Sequence, residues 1–360
     1  MTAKKDCKPK ALIAMSGGVD SSVALLLTQE QGYECRGVTM KLYNNDLVCN
    51  SAKTCCSLDD VEDARSVCVK RGIPYNVFNF QAEFKTHVID KFIKAYEEGA
   101  TPNPCIDCNR YLKFETLFER AKVLGFEKIV TGHYARIEKV GDRYLLKKAV
   151  DSNKDQSYVL YSMTQEQLAK TIFPLGELTK AQTREIASRA GFINANKSES
   201  QDICFVPDGD YASFIERTKG KQYPEGDFID KTGKVIGKHK GIIRYTKGQR
   251  KGLGIAAKKP LYVCKKNLED NTIVLGFKED LTSLECIVSE VNYISQESFT
   301  KAFRAKVKTR YRQKEQWATI TPIDKSSVKV VFDEPLASVT KGQAAVFYDG
   351  DIVIGGGVIN

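Results

Sequence analysis

The stretch Ala11-Leu-Ile-Ala-Met-Ser-Gly-Gly-Val-Asp-Ser-Ser22 constrains this chain more than any other. A buried-strand run from Lys10 to Met15 breaks at Ser16-Gly17-Gly18. An apolar run from Val23 to Leu27 then reads as a helix. Strand, glycine turn and helix start is the arrangement in which backbone N–H groups and the positive helix end cradle phosphate. Gly17 and Gly18 carry no Cβ, so the chain turns tightly and lets a phosphate come close. Ser21 and Ser22 add hydroxyls, and Asp20 adds a carboxylate that could hold magnesium. No lysine stands directly before Ser21, so this is not a Walker loop. The competing reading is an ordinary strand-to-helix turn.

The text after it alternates strand and helix. Strands are expected at Cys35 to Leu42, Tyr75 to Phe80 and Glu127 to Val130. Helices are expected from Ser21 to Gln31, from Ser57 to Arg71 and over 82–98. That alternation implies βαβ units and a parallel sheet. Ligands sit beyond the carboxyl ends of such strands, which puts Ser16, Gly17, Gly18, Met40, Gly132 and His133 at one edge. Between Thr101 and Asn109, two prolines in three positions argue against a helix, which is expected from Arg110 to Leu124 instead. Residues 134–149 read as a hairpin turning at Gly141-Asp142, and Thr179 with Gln182 caps a helix over 180–190. From about 210 to 280 one helix (210–219) precedes Gly- and Lys-rich text. Thereafter short alternating strands suggest a small β-barrel.

The chain has 360 residues and a formal net charge of +10. Residues 238–259 hold eight Lys/Arg and no acid, and residues 301–314 hold seven and no acid. A solvated basic face competes here with a polyanionic partner, nucleic acid first. No apolar run approaches the roughly 20 residues needed to cross a bilayer, and no secretory signal is visible, so a cytoplasmic protein without a membrane partner is expected.

Eleven cysteines without an export signal argue for thiols rather than a disulfide framework. Cys105 and Cys108 form a Cys-x-x-Cys, where a helix start and the nearby Arg110 and Lys113 favour thiolate. Cys108 is expected to lie nearer that start than Cys105. The same pair suits half a zinc site, for which a second close pair is missing. Cys204 is either buried packing or a functional thiol. Cys35, Cys68, Cys264 and Cys286 are expected to be packing residues. Asp155 is a general-base candidate or a turn cap.

The chain resembles a known family. Ser16-Gly-Gly-Val-Asp-Ser21 is similar to the pyrophosphatase-type loop of the adenine-nucleotide alpha hydrolases. Further segments resemble the bacterial tRNA-specific 2-thiouridylases: Thr101-Pro-Asn-Pro-Cys-Ile-Asp-Cys-Asn109, Thr131-Gly-His-Tyr134, Lys154-Asp-Gln-Ser157, Ile203-Cys-Phe205, the Gly237 to Gly254 stretch and Arg310-Tyr-Arg-Gln313. They occur in that family's order across nearly the whole chain. The resemblance implies an α/β ATP-binding catalytic domain over 1–208 with the parallel sheet of the adenine-nucleotide alpha hydrolases. It implies a small central α+β domain touching tRNA over 209–280 and a C-terminal β-barrel over 281–360.

It also implies roles. Ala14, Met15, Ser16, Gly17, Gly18, Val19, Asp20, Ser21, Met40 and Gly132 would contact ATP, with Mg2+ present and Asp20 assisting the chemistry. Cys108 would be the nucleophile and Cys204 the persulfide carrier, the two ending as a disulfide. Asn103, Pro104 and Cys105 would surround the target base. Lys154, Asp155, Gln156, His133, Arg310, Tyr311 and Gln343 would be further tRNA contacts. The implied reaction is ATP-dependent 2-thiolation of the wobble uridine of tRNA. A uridine 2-carbonyl oxygen is a poor leaving group and must first be adenylated, after which a persulfide supplies sulfur. The implied sulfur partner is a persulfide donor such as a cysteine desulfurase or a sulfur relay protein. An iron–sulfur cluster on Cys105, Cys108 and Cys204 is the less favoured route. The rival functions are an ATP-dependent amidotransferase or ligase with the same loop, and an RNA-binding protein with a redox cysteine pair.

Overall fold

The computed structural model describes residues 8–43, 58–198, 203–206 and 208–360. Cys49, Cys55, Cys56 and the helix cap expected at Ser57 lie outside the described residues. The chain divides into two compact units. One comprises Met1–Val88, Cys105–Pro207 and Gly350–Val353, the other Ile89–Pro104, Asp208–Asp349 and Ile354–Asn360.

The first unit is built on strands β1 (Lys10–Ala14), β2 (Glu34–Lys41), β3 (Tyr75–Asn79) and β4 (Lys128–Val130), a hairpin of β5 (Ala135–Val140) and β6 (Arg143–Lys148), and the two-residue β7 (Thr171–Ile172). Its sheet runs β3-β2-β1-β4-β7, and every pairing is parallel. Ala11, Leu12 and Ile13 are all fully buried. A continuous apolar run with no alternation is what a central parallel strand needs, because both of its faces are covered. The core around β1 also contains Val23, Ala24 and Leu25 of helix Val19–Glu30, Ala64 and Val67 of helix Leu58–Lys70, and Ala187 of helix Lys180–Arg189. The strand order reverses between β1 and β4, so the crevice beyond those two ends is the topological switch point where open α/β sheets bind ligands.

One expectation about helices needs correction. The 101–109 loop is not helix-free: a helix opens at Pro104 and runs Pro104–Asp107, followed by a π-helical segment Cys108–Thr116 and an α-helical one Leu117–Val123. Proline is compatible with the first helical position, where its missing N–H has no helical partner to lose. Cys105 therefore lies closer to the helix start than Cys108, the reverse of the expectation. The helix expected over 82–98 runs as Gln81–Phe84, Lys85–Ile89 and Asp90–Glu97, with π geometry in the middle. The hairpin turns at Gly141, whose φ of 59° only glycine adopts readily. Its strand β6 pairs through Lys147 with Ile352, and the Arg136 guanidinium lies 2.7 Å from the neighbouring Asp351 carboxylate.

The second unit holds a helix Tyr211–Lys219, capped by the Asp210 carboxylate, and a four-stranded sheet. Its strands are β8 (Gly226–Ile229), β9 (Val235–His239), β10 (Tyr262–Asn267) and β11 (Thr272–Gly276), ordered β10-β11-β8-β9 around Phe228, Tyr245, Val263 and Ile273. Six further strands close a barrel: β12 (Thr282–Tyr293), β13 (Phe303–Lys308), β14 (Gln316–Pro322), β15 (Val328–Ala337), β16 (Ala344–Asp349) and β17 (Ile352–Ile359). The circuit β12-β15-β14-β13-β16-β17 returns to β12, because the long β12 pairs with β15 near its start and with β17 near its end. Val307, Ala318, Ile320, Val330 and Phe347 fill its interior. Among the described residues no helix is long and apolar enough to cross a membrane.

Candidate nucleotide and thiol site

The loop after β1 forms its own hydrogen-bonded ring. Ser21 Oγ donates to the Gly18 carbonyl (3.0 Å) and accepts from the Ser16 N–H (3.2 Å), while Ser22 Oγ also donates to Gly18 (3.1 Å). Gly17 has φ +74°, and a Cβ there would meet the Asp60 carbonyl at 2.3 Å. Gly132, just beyond β4, abuts the loop: a Cβ on it would meet Asp20 C and Ser21 N at 2.8 Å. The expectation that the ends of β1 and β4 converge is thus met at the atomic level. Met40, at the end of β2, is half-buried, and the neighbouring Thr39 hydroxyl donates to the Met15 carbonyl (2.7 Å). Ala14 is half-buried, Met15 and Val19 are buried, and Ser16 is exposed.

Residues distant in sequence brace this loop. The Asn194 amide donates to the Gly17 carbonyl and to Ser22 Oγ, each at 2.9 Å. The Lys197 ammonium bridges Asp60 (2.7 Å) and Asp63 (2.5 Å) beside Gly17. Lys180 places its ammonium 2.7 and 2.8 Å from the two oxygens of Asp20. The Tyr134 hydroxyl donates to the same carboxylate at 2.8 Å. Magnesium is one of the partners the sequence offers for Asp20. With an ammonium spanning both oxygens and a phenol on one of them, its surroundings do not fit a metal ligand. None of Lys180, Asn194 and Lys197 was singled out from the sequence. Lys180 opens a helix and Asn194 and Lys197 lie in the turns after it, and no local signal marks any of them.

The remaining candidates sort by what they touch. His133 is buried, with Nδ1 2.7 Å from Thr131 Oγ1 and Nε2 3.5 Å from the Lys113 ammonium. Burial, and then the Lys113 charge, hold its pKa well below the usual value, so the ring is neutral. An ammonium can only donate, so Nε2 accepts and Nδ1–H donates to Thr131. Asp155 caps a turn: its carboxylate accepts from the Ala149 N–H (3.1 Å), the Ser157 N–H (3.1 Å) and Ser157 Oγ (2.8 Å). Of its two expected roles, this is the cap. Gln156 Oε1 accepts from the Tyr134 N–H at 2.9 Å, and Lys154 is half-buried in the same turn.

Pro104 is buried, Asn103 and Cys108 are half-buried, and Cys105 is exposed. Cys204 is half-buried, and its carbonyl accepts from the Tyr43 hydroxyl at 3.0 Å. The next residue, Phe205, is buried edge-on against Phe84 with ring centres 5.7 Å apart. Ile203-Cys-Phe205 is therefore pegged at its aromatic, while Cys204 itself is only half-buried. Among the described residues, no three His, Cys, Asp or Glu side chains are arranged to hold a metal ion, and Cys105, Cys108 and Cys204 are all described. The packing cysteines behave differently. Burial pushes the Cys35 thiol up to about 11 and those of Cys68 and Cys286 up to about 12, which keeps them protonated and inert.

In the second unit, the Arg310 guanidinium donates to Thr340 Oγ1 (2.7 Å) and to the Lys247 carbonyl (3.3 Å). Tyr311 is exposed, with the Lys308 ammonium 5.7 Å from its ring centre. The Gln343 amide donates to the Thr101 carbonyl at 2.7 Å, and the Thr101 N–H donates to Lys341 (2.9 Å). A turn of the barrel thus fixes the start of the Thr101–Asn109 segment.

Three family models match in succession. They are described as a tRNA methyl transferase HUP domain (residues 9–208), a tRNA methyl transferase PRC-barrel domain (212–277) and an aminomethyltransferase β-barrel domain (283–359). Full-length relatives carry a different reaction in their name. The tRNA-specific 2-thiouridylase MnmA of Clostridioides difficile (strain 630) is 51% identical over 97% of this chain and 98% of its own. The protein of that name from Clostridium botulinum (strain Alaska E43 / Type E3) is 49% identical over 98% of each. Between the two names the full-length likeness decides, since it covers all three matched segments at about half identity. The chain belongs to the tRNA-specific 2-thiouridylase family.

Proposed function

We propose that this protein is a tRNA-uridine 2-sulfurtransferase that consumes ATP to replace the 2-oxygen of the wobble uridine with sulfur. The observation that carries this reading is one unit holding both a phosphate cradle at the β1/β4 switch point and two partly accessible cysteines, Cys108 and Cys204. Ala14 to Ser21, Met40 and Gly132 take the nucleotide, and the backbone N–H groups of the loop and the exposed Ser16 hydroxyl face its phosphates, while the buried Ser21 and Ser22 hydroxyls hold the loop's shape. Magnesium would supply charge neutralisation on the phosphates, while the Asp20 carboxylate is engaged by the Lys180 ammonium and the Tyr134 hydroxyl.

The uridine O2 bonds to the α-phosphorus as the bond to the bridging α–β oxygen breaks. Pyrophosphate leaves with the electron pair, and the uracil ring gives up its N3 proton. The terminal sulfur of a Cys204 persulfide then bonds to C2 and AMP leaves. The Cys108 thiolate attacks Cys204 Sγ, the S–S bond breaks, and its electron pair stays on the sulfur now on the base. A Cys108–Cys204 disulfide remains, and a dithiol reductant returns both thiols. A persulfide-donating protein reloads Cys204.

On the RNA side, Asn103, Pro104 and Cys105 lie about the flipped base. Lys154 meets the tRNA near that base, and Tyr311 and the basic runs of the second unit are further tRNA contacts. Asp155, Gln156, Arg310 and Gln343 shape those surfaces through the bonds they make, and neutral His133 supports the end of β4 from within. The test is mass analysis of nucleosides after incubation with tRNA, ATP, magnesium and a persulfide source. 2-Thiouridine with AMP and pyrophosphate is expected. ADP and phosphate, or unmodified uridine, would defeat the reading.

A further inference from the structure

The phosphate loop contains no cation of its own: Ser16 to Ser22 carries one acid and no base. Its backbone donors and the exposed Ser16 hydroxyl can bind phosphate, yet charge must still be neutralised as pyrophosphate separates from the α-phosphorus. One ammonium is built into the loop's edge. Lys180 is the first residue of helix Lys180–Arg189 and its side chain is only 11% exposed. Its position is over-determined. The Lys180 N–H donates to the Asp151 carboxylate at 3.0 Å, and the Thr179–Gln182 capping box fixes the same helix start. The ammonium spans both Asp20 oxygens and sits 5.8 Å from the centre of the Tyr134 ring. The Tyr134 hydroxyl also donates to Asp20 Oδ1, at 2.8 Å, and lies 3.0 Å from Thr183 Oγ1 on the next turn of the lysine's own helix.

We infer that Lys180 is an anion-contacting residue of this site, for the phosphate chain of the nucleotide and the pyrophosphate it releases, and that Asp20 is its positioning residue rather than a metal ligand. The assignment deepens the proposed function and rests on it for the identity of the anion. A lysine on a half-buried carboxylate could be a mere structural pair. Against that stands its placement, with the carboxylate it grips in the first turn of the helix whose N-terminus forms the cradle. Asp20 fixes where the ammonium points, and Tyr134 fixes Asp20. A preset cation needs no reorganisation when charge develops beside it, which is the condition under which a single such group matters most.

Two measurements test this, one of them independent of the reaction. Inorganic pyrophosphate binding to the parent and to Lys180→Met, without magnesium, should show Kd raised about tenfold to a hundredfold in the variant, the effect of losing one charge-assisted bond. Lys180→Arg should recover part of it. In turnover, Lys180→Met and Asp20→Asn should each lower pyrophosphate release, and the double variant should be no worse than Lys180→Met alone. The magnesium concentration for half-maximal rate should be unchanged in Asp20→Asn. Equal pyrophosphate affinity in parent and Lys180→Met, at matched thermal stability, overturns the assignment. So does an Asp20→Asn variant whose magnesium requirement rises severalfold. A parent that binds pyrophosphate through Lys180 yet makes no 2-thiouridine would instead defeat the functional reading while leaving the anion site standing.

Discussion

Lys266 gives a quantitative test of how the second unit is held together. It lies on β10 with its stem half-buried, while its ammonium is fully enclosed and makes no hydrogen bond. The nearest compensation is the face of Tyr96, 6.0 Å from the nitrogen, and that ring is itself stacked on Tyr211 at 4.4 Å. Burial pulls the lysine down from 10.5 to about 8. At about 1.4 kcal/mol per pH unit, the gap corresponds to about 3 kcal/mol of penalty on the charged form. The ring face offsets about 0.5–1 kcal/mol of it, leaving about 2–3. The sign follows from proton counting. Between about pH 8 and 10.5 the unfolded lysine keeps its proton and the folded one loses it, so stability rises with pH and the penalty fades. Below about 8 the penalty is present in full.

Lys266→Met keeps an unbranched stem and removes the charge. The variant should be more stable by about 2–3 kcal/mol at pH 7, a urea midpoint shift of about 1 M. Near pH 10 the gain should shrink below about 1 kcal/mol. The assay is urea unfolding followed by the fluorescence of Trp317, which is the chain's single tryptophan and lies on β14 of the same unit. A gain of the same size at both pH values would mean that packing, not charge, is being measured. A loss at pH 7 would refute the argument outright.

Other outcomes follow from the same geometry. Gly132→Ala puts a methyl 2.8 Å from the Asp20 and Ser21 backbone and must displace the phosphate loop by about half an ångström, so ATP turnover should fall tenfold or more in a folded protein. Unchanged kinetics would separate Gly132 from the site. Cys108→Ala and Cys204→Ala should each abolish 2-thiouridine formation while Cys105→Ala, an exposed position, retains it, as read by nucleoside mass. Arg312→Ala, at an exposed position in the 301–314 run, should reduce the salt slope of tRNA binding by about one. An unchanged slope would return that run to a solvated face. Buried neutral His133 takes up no proton where an unfolded histidine does, so it lowers stability as pH falls through about 6.5. His133→Asn should flatten that acid loss in a thermal melt series from pH 5 to 8.

What the sequence made legible is what depends on neighbours in the chain. The Lys10-to-Leu27 strand, turn and helix are set by residues a few positions apart, as are the Thr179–Gln182 cap and the Gly141 turn, and all appear where expected. Strand β12 did not announce itself. It buries little, its Leu284 and Ile287 face solvent, and register breaks interrupt any period of two. Strand β7 is two residues long, too short to carry a period at all. Its existence depends on β4 offering an edge.

The charged residues around the phosphate loop teach the same lesson from the side of function. Lys180 meets Asp20 across 160 positions, and Lys197 meets Asp60 across 137. A lysine just inside a helix start has an unremarkable role in isolation, and only the sheet order brings that start to the loop after β1. Asp20 is legible as a site residue because it sits inside a local motif, but the lysine that grips it is not, because that partner lies 160 positions away. At the scale of backbone, the Pro104 helix also departs from the local reading. Two prolines in three residues read as a barrier, although a proline at the first helical position loses no bond. The consequence reaches the cysteines. With the helix opening at Pro104, a helix-dipole argument would favour Cys105 as thiolate, yet Cys105 is exposed while Cys108 is half-buried at the start of the π-helical segment. The choice of Cys108 as the reacting thiol therefore rests on the family resemblance and its position in the packed helix, and a Cys105→Ala variant that loses thiolation would show the dipole to be the better guide.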